Sequence, residues 1–134
     1  MKNIICILFA FLAISAKAQI LDPVKWTSKT EKKSETNYVL VFDATIEKEW
    51  HVYSQYTDEN GSLPLTLTFK NQNGNFSLVG KTKERNTKTA FNDVFAVNET
   101  FWENKIHFEQ EIKITNPKFK TVEAVVDYQA CKSS

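Results

Sequence analysis

A strict two-residue alternation of apolar and polar side chains constrains this chain more than any other feature. Tyr38, Leu40, Phe42, Ala44 and Ile46 alternate with Val39, Val41, Asp43 and Thr45. Farther on, Ile106, Phe108, Gln110, Ile112 and Ile114 alternate with His107, Glu109, Glu111 and Lys113. A period of two sends successive side chains to opposite faces of an extended strand, and a helix cannot satisfy it. The first stretch reads as a strand covered on one face and, through Val39 and Val41, partly covered on the other.

Shorter stretches extend the same pattern. Pro23-Val24-Lys25-Trp26 starts a first strand, with Trp26 packing on an edge. Trp50, Val52 and Tyr53 resume after the charged break Glu47-Lys48-Glu49. Asn60-Gly61 and Pro64 mark a turn before Leu65, Leu67 and Phe69, and Asn73-Gly74 reads as a hairpin turn from that strand into Phe76-Ser77-Leu78-Val79. Lys81 to Lys88 reads as a solvated loop or hairpin. The run from Phe91 to Trp102 is dense in aromatics without clean alternation, which points either to a loop folded over apolar surface or to rings closing one end of the core. Asn116-Pro117 ends the long second strand. Val122, Ala124, Val126 and Tyr128 form the inward set of one last strand, with Val125, Asp127, Gln129 and Cys131 on its other side. Seven to nine short strands, few glycines and no helical stripe predict an all-β domain with an immunoglobulin-like β-sandwich architecture, although the Cys…Trp…Cys spacing of immunoglobulins is missing.

The N-terminus carries an export signal in the pattern of its residues. Lys2 precedes an apolar run from Ile4 to Ile14, and Ala16-Lys17-Ala18 offers small residues for cleavage before Gln19. Such a run is too short for a spanning helix, which needs about 20 residues. The expectation is a signal peptide over residues 1–18 and a single domain over 19–134, with no membrane span after cleavage and a periplasmic or secreted location. The full chain has 17 Lys and Arg against 16 Asp and Glu; removing Lys2 and Lys17 leaves 15 against 16, a net charge of −1. That balance excludes the basic footprint that nucleic-acid binding requires.

Two cysteines are present, Cys6 within the apolar run and Cys131 near the other end. After cleavage one remains, so the fold rests on hydrophobic burial rather than on an internal disulfide. A lone thiol in an oxidising compartment is shielded, joined to another chain, or chemically used. His51 and His107 bring no second cysteine with them, and three glycines leave no phosphate-binding loop.

Pro23-Val24-Lys25-Trp26, Trp50-His51-Val52-Tyr53-Ser54, Pro64 to Phe69 and above all Tyr128-Gln129-Ala130-Cys131 resemble the N-terminal periplasmic domain of DsbD-type thiol:disulfide interchange proteins. The likeness covers nearly the whole of residues 19–134. It implies an immunoglobulin-like sandwich that relays electrons to other exported thiol proteins, with Cys131 at the position of the first redox cysteine. Asp93 and Phe95 match the family's Asp-Glu-Phe-Tyr cap loop, while Val94 and Ala96 depart from it. The resemblance implies that Phe95 covers the sulfur and that Asp93 either opposes thiolate formation or accepts its proton. The family's second cysteine, five residues after the first, would fall at position 137, beyond Ser134; the domain as given therefore reads as incomplete. The implied partners are thioredoxin-like or membrane-embedded thiol proteins, and no organic cofactor or metal is implied.

The same residues allow a noncatalytic β-sandwich that binds proteins as an adaptor, through the aromatic segment or an edge strand. In that case Cys131 is a small buried hydrophobe, Asp93 a turn residue and Phe95 part of the core. A strand pattern running almost to Ser134 also predicts self-association through an unpaired sheet edge, and the odd cysteine predicts dimers linked through Cys131.

Overall fold

In a computed structural model, residues 22–132 are described, and every regular element among them is a β-strand. The expected signal peptide and Cys6 lie outside the described residues. The strands are β1 (Val24–Lys32), β2 (Asn37–Ile46), β3 (Trp50–Tyr53), β4 (Thr66–Lys70), β5 (Phe76–Arg85), β6 (Lys88–Asn92), β7 (Val97–Glu103), β8 (Lys105–Ile114), β9 (Glu123–Asp127) and β10 (Ala130–Lys132). They form three small sheets, ordered β1-β2-β8-β5, β10-β3-β7-β6 and β4-β9. The result is an all-β domain resembling an immunoglobulin-like sandwich.

The two alternating stretches are its centre. β2 and β8 pair antiparallel along nine residues, so Leu40, Phe42 and Ala44 lie across from Gln110, Phe108 and Ile106. Phe42 stacks on Phe108 at 4.9 Å between ring centroids. This face meets Val52 and Trp102 of the second sheet, both fully buried, while Leu67, Phe69, Ala124 and Val126 of the two-stranded sheet close the remainder. Burying side chains of this size supplies about 1.5–3 kcal/mol each. Trp102 also donates its indole N–H to the Arg85 carbonyl at 2.8 Å, so its polar atom is not stranded in the core. Val41 is buried on the opposite face, between Lys29 and Glu109 of the neighbouring strands. Long charged side chains can lay their apolar stems over such a residue.

Among the described strands, only β1–β2 and β6–β7 are sequential neighbours that pair as hairpins; the other connections carry the chain from one sheet to another. This corrects the hairpin read at Asn73-Gly74. β4 pairs with β9 and β5 with β8, so the turn, with Gly74 at φ 81°, changes sheets instead. Lys81 to Arg85 are likewise strand rather than loop, joined to the earlier part of β5 across a register shift between Val79 and Lys83. The aromatic run from Phe91 to Trp102 is the β6–β7 hairpin with a four-residue turn at its tip. Trp102 is in the core, as one of the two readings of these rings required, but Phe91, Val94 and Phe95 are exposed.

The expected last strand is two strands. Val122, Ala124, Val126, Tyr128 and Ala130 all pack on the core, so the inward period persists. Pairing nonetheless changes between Asp127 and Ala130, where the chain leaves β4 and joins β3. Trp26 packs on Phe108 and Tyr128 at the β1 edge, as expected, with centroids 6.1 and 5.3 Å away.

Candidate functional site

β10 is short and ends one sheet, and its register decides where the thiol lies. Ala130 pairs with Val52, Cys131 with His51 and Lys132 with Trp50. Because Val52 is fully buried and Ala130 packs on the core, the alternation turns Cys131 and His51 to the outer face of the sheet. The row continues to Glu103 on β7, and the next row on this face holds Tyr53 and Phe101. Glu99 and Ala90 follow, then Val97 and Asn92.

Aromatic rings pack around the histidine. His51 lies 5.0 Å from Tyr53 and 5.4 Å from Phe101 between centroids, and its Nε2 is hydrogen-bonded to the Tyr53 hydroxyl at 2.8 Å. Over the next rows folds the connection of residues 54–65. Thr57 Oγ1 accepts from the Thr100 N–H at 2.9 Å, and the Ser54 N–H donates to the Thr100 carbonyl at 2.9 Å. Farther back, Ser54 and the Gln55 N–H donate to the Glu84 carboxylate of β5, and the Tyr56 hydroxyl donates to the Thr82 carbonyl.

Glu99 lies beneath this connection at 4% exposure. The Ser62 N–H donates to its Oε2 at 2.5 Å and Asn92 Nδ2 to its Oε1 at 2.6 Å. Burial works to raise the Glu99 pKa, but the donors from Ser62 and Asn92 prevail and hold it below the ordinary carboxylate value. A negative charge is therefore fixed on the same face of the sheet as the thiol, two rows away. Cys131 has its pKa raised, first by burial and then by the Glu99 charge. Burial also lowers the His51 pKa, against the opposing pull of Glu103 and Glu99. Thiol and imidazole are accordingly both neutral at rest, rather than a thiolate–imidazolium pair.

Asp93 and Phe95 lie in the exposed turn of the β6–β7 hairpin, past the Val97–Asn92 row, which is itself three rows from that of Cys131. Asn92 organises this turn, its Oδ1 accepting from the Val94 and Phe95 N–H groups at 2.8 and 3.2 Å. His51 flanks the thiol, directly across from it on β3. The sequence reading missed Glu99 altogether, since a lone Glu in a mixed segment reads as solvated surface; its one local signal was a charge set among aromatics. His107 is on the outer face of the other sheet, between Asp43 at 2.7 Å and Glu109 at 3.1 Å. Among the described residues no group of three or more His, Cys, Asp or Glu is arranged to hold a metal ion.

No protein-family model matches the sequence, and no curated protein matches it significantly. One solved structure is similar in fold: the N-terminal periplasmic domain of ScsB from Proteus mirabilis, with a TM-score of 0.61 and 11% identity over 84% of this chain. The match spans 42% of that chain.

Proposed function

We propose that this domain is an exported thiol:disulfide exchange domain, acting through Cys131 on other periplasmic or secreted thiol proteins. The observation that carries this reading is the position of Cys131: on a three-residue edge strand, facing outward beside His51. The fold shared with the ScsB periplasmic domain and the Tyr128-Gln129-Ala130-Cys131 run support it.

In this mechanism the Cys131 thiol loses its proton and the sulfur attacks one sulfur of a partner's disulfide. The new bond joins Cys131 to the partner, and the partner's second sulfur leaves as a thiolate that takes up a proton. A further thiol, supplied by another thiol protein or a neighbouring segment, then attacks the Cys131 sulfur and displaces the reduced partner. Two electrons reach the partner, and Cys131 ends in a disulfide with the resolving thiol. His51 is the titratable group directly across the sheet from Cys131 and carries no charge at rest, which suits it to receive the proton. Asp93 and Phe95 belong to this proposal as cap residues: with the hairpin turn folded toward the site, Phe95 covers the sulfur and Asp93 takes over from His51 the proton that Cys131 released. The partners are thioredoxin-like or membrane-embedded thiol proteins.

The exposed Phe91, Val94 and Phe95 favour a second reading, a noncatalytic module that binds proteins through this hairpin. Alkylation and mass analysis after mixing the protein with a thioredoxin-like partner, oxidised or reduced, separates the two. A specific mixed disulfide between Cys131 and the oxidised partner, absent with the reduced partner and in Cys131→Ser, is the expected result. An inert thiol, or a thiol that links only to a second copy of this chain and never to the partner, rejects the exchange reading in favour of the binding module.

A further inference from the structure

We infer that Glu99 is a positioning residue that ties the β6–β7 hairpin turn to the thiol site, acting through the side-chain amide of Asn92. The inference rests on the exchange reading for its purpose but on separate contacts for its geometry.

Asn92 has two polar ends, and each has a different task. Its Nδ2 donates to buried Glu99, while its Oδ1 receives the N–H groups of Val94 and Phe95. Beside the backbone bond from the Ala96 N–H to the Asn92 carbonyl at 2.8 Å, the turn is thus held by one side-chain amide whose orientation is set by one carboxylate. Glu99 is fixed in turn by the Ser62 N–H and by the close passage of Gly61. A charge-assisted hydrogen bond is roughly twice as strong as a neutral one, so an ionised Glu99 holds Asn92 more firmly than an uncharged isostere would. The same charge acts on the thiol, disfavouring thiolate. One buried group thereby orders the turn and adds, after burial, to what holds the resting sulfur in its thiol form. A partner that displaces the turn breaks the link at Asn92.

The pH response of Cys131 is shared with the other groups on this face. They are Glu99 and Glu103 of β7, His51 and Tyr53 of β3 and Lys88 of β6, which pairs with Glu103 at 3.0 Å; Lys132, next to Cys131 on β10, lies in the opposite phase across from Trp50. Glu99→Gln changes one of these charges and keeps an acceptor for Asn92. Asn92→Ala keeps the charge and removes the link.

Two readouts test the inference: the pH profile of Cys131 alkylation and the NMR backbone order parameters of residues 93–96. Glu99→Gln moves the alkylation midpoint to lower pH and speeds alkylation a few-fold at neutral pH. Asn92→Ala leaves that midpoint in place but lowers the order parameters of Val94 and Phe95 from the rigid range, about 0.85, toward the flexible range below about 0.6. An unchanged midpoint in Glu99→Gln, or an unchanged turn in Asn92→Ala, overturns the inference. Trapping with a thioredoxin-like partner is scored separately on the wild-type protein. Absence of a mixed disulfide there rejects the exchange reading, while both variant responses still report on Glu99.

Discussion

Gly61→Ala is the sharpest test of how the 54–65 connection is seated. Gly61 has an ordinary backbone conformation, so an added methyl is opposed by lack of space alone. A Cβ there would lie 2.5 Å from Glu99 Oε2, 3.1 Å from Val97 Cγ2 and 3.2 Å from Glu99 Cδ. An ordinary contact begins at 3.4 Å, so the nearest pair must separate by 0.9 Å. Glu99 cannot swing aside freely, because its two oxygens are held by Ser62 and Asn92 at 2.5 and 2.6 Å. Stretching either bond by that amount breaks it. Loss of one hydrogen bond to a charged group costs about 1.5–3 kcal/mol, and crowding in a packed site about 1–3 kcal/mol. With partial relaxation the sum is about 3 kcal/mol. In urea, with a slope of about 1.5 kcal/mol per molar for a small domain, the unfolding midpoint falls by about 2 M. Gly74→Ala is the control: a Cβ there meets nothing within 4 Å, and its φ of 81° costs about 1 kcal/mol of backbone strain. Equal midpoints for Gly61→Ala and the wild type would refute the close seating of this loop on Glu99.

Three further outcomes follow from named groups. Burial raises the Glu84 pKa above its ordinary 4.5, against the hydrogen bonds from Ser54 and Gln55. The folded state then retains a proton that the unfolded state releases, so Glu84's contribution is intact below about 4.5 and is lost as pH rises through the raised value; Glu84→Gln removes this decline from urea midpoints measured across pH 4–8. The His107 pKa is raised above its ordinary 6.5, chiefly by the hydrogen bond to Asp43, with Glu109 adding to it against burial. Its contribution is complete below about 6.5 and lost as pH rises through the raised value, and His107→Gln flattens that part of the same profile by up to about 1 kcal/mol, the scale of a partly exposed ion pair. Disulfide-linked dimers form under oxidising, nonreducing conditions through Cys131 and disappear in Cys131→Ser; dimers that persist in that variant as detected by nonreducing electrophoresis reject this linkage.

Much of the sandwich was legible because strand alternation is local. Residues 38–46 and 106–114 each show their buried face within one stretch, and their pairing follows from matching those faces. Turn chemistry was less informative: Asn73-Gly74 bends the chain as its residues require, yet a bend does not state which strand pairs with the next. The same limit explains the divided last strand. Val122 to Ala130 keep their inward period, but the change of partner between Asp127 and Ala130 depends on β4 and β3, which are remote in sequence. Cys131 could be found from its local run; its neighbour His51 could not be assigned without the register. Glu99 shows the clearest gap, since nothing beside it in the chain reveals that residues 54–65 cover it.

By itself, then, the sequence determined the all-β character, the long central strands, the outward phase of Cys131 relative to Val126 and Tyr128, and the charge balance. These properties arise from side-chain period and residue chemistry over a few neighbours. Only the tertiary structure decided the three-sheet pairing, the placement of Cys131 beside His51 and the burial of an ionised Glu99 joined to the hairpin turn. Strand pairing and desolvation are relations between distant segments, and they exist only once those segments have packed together.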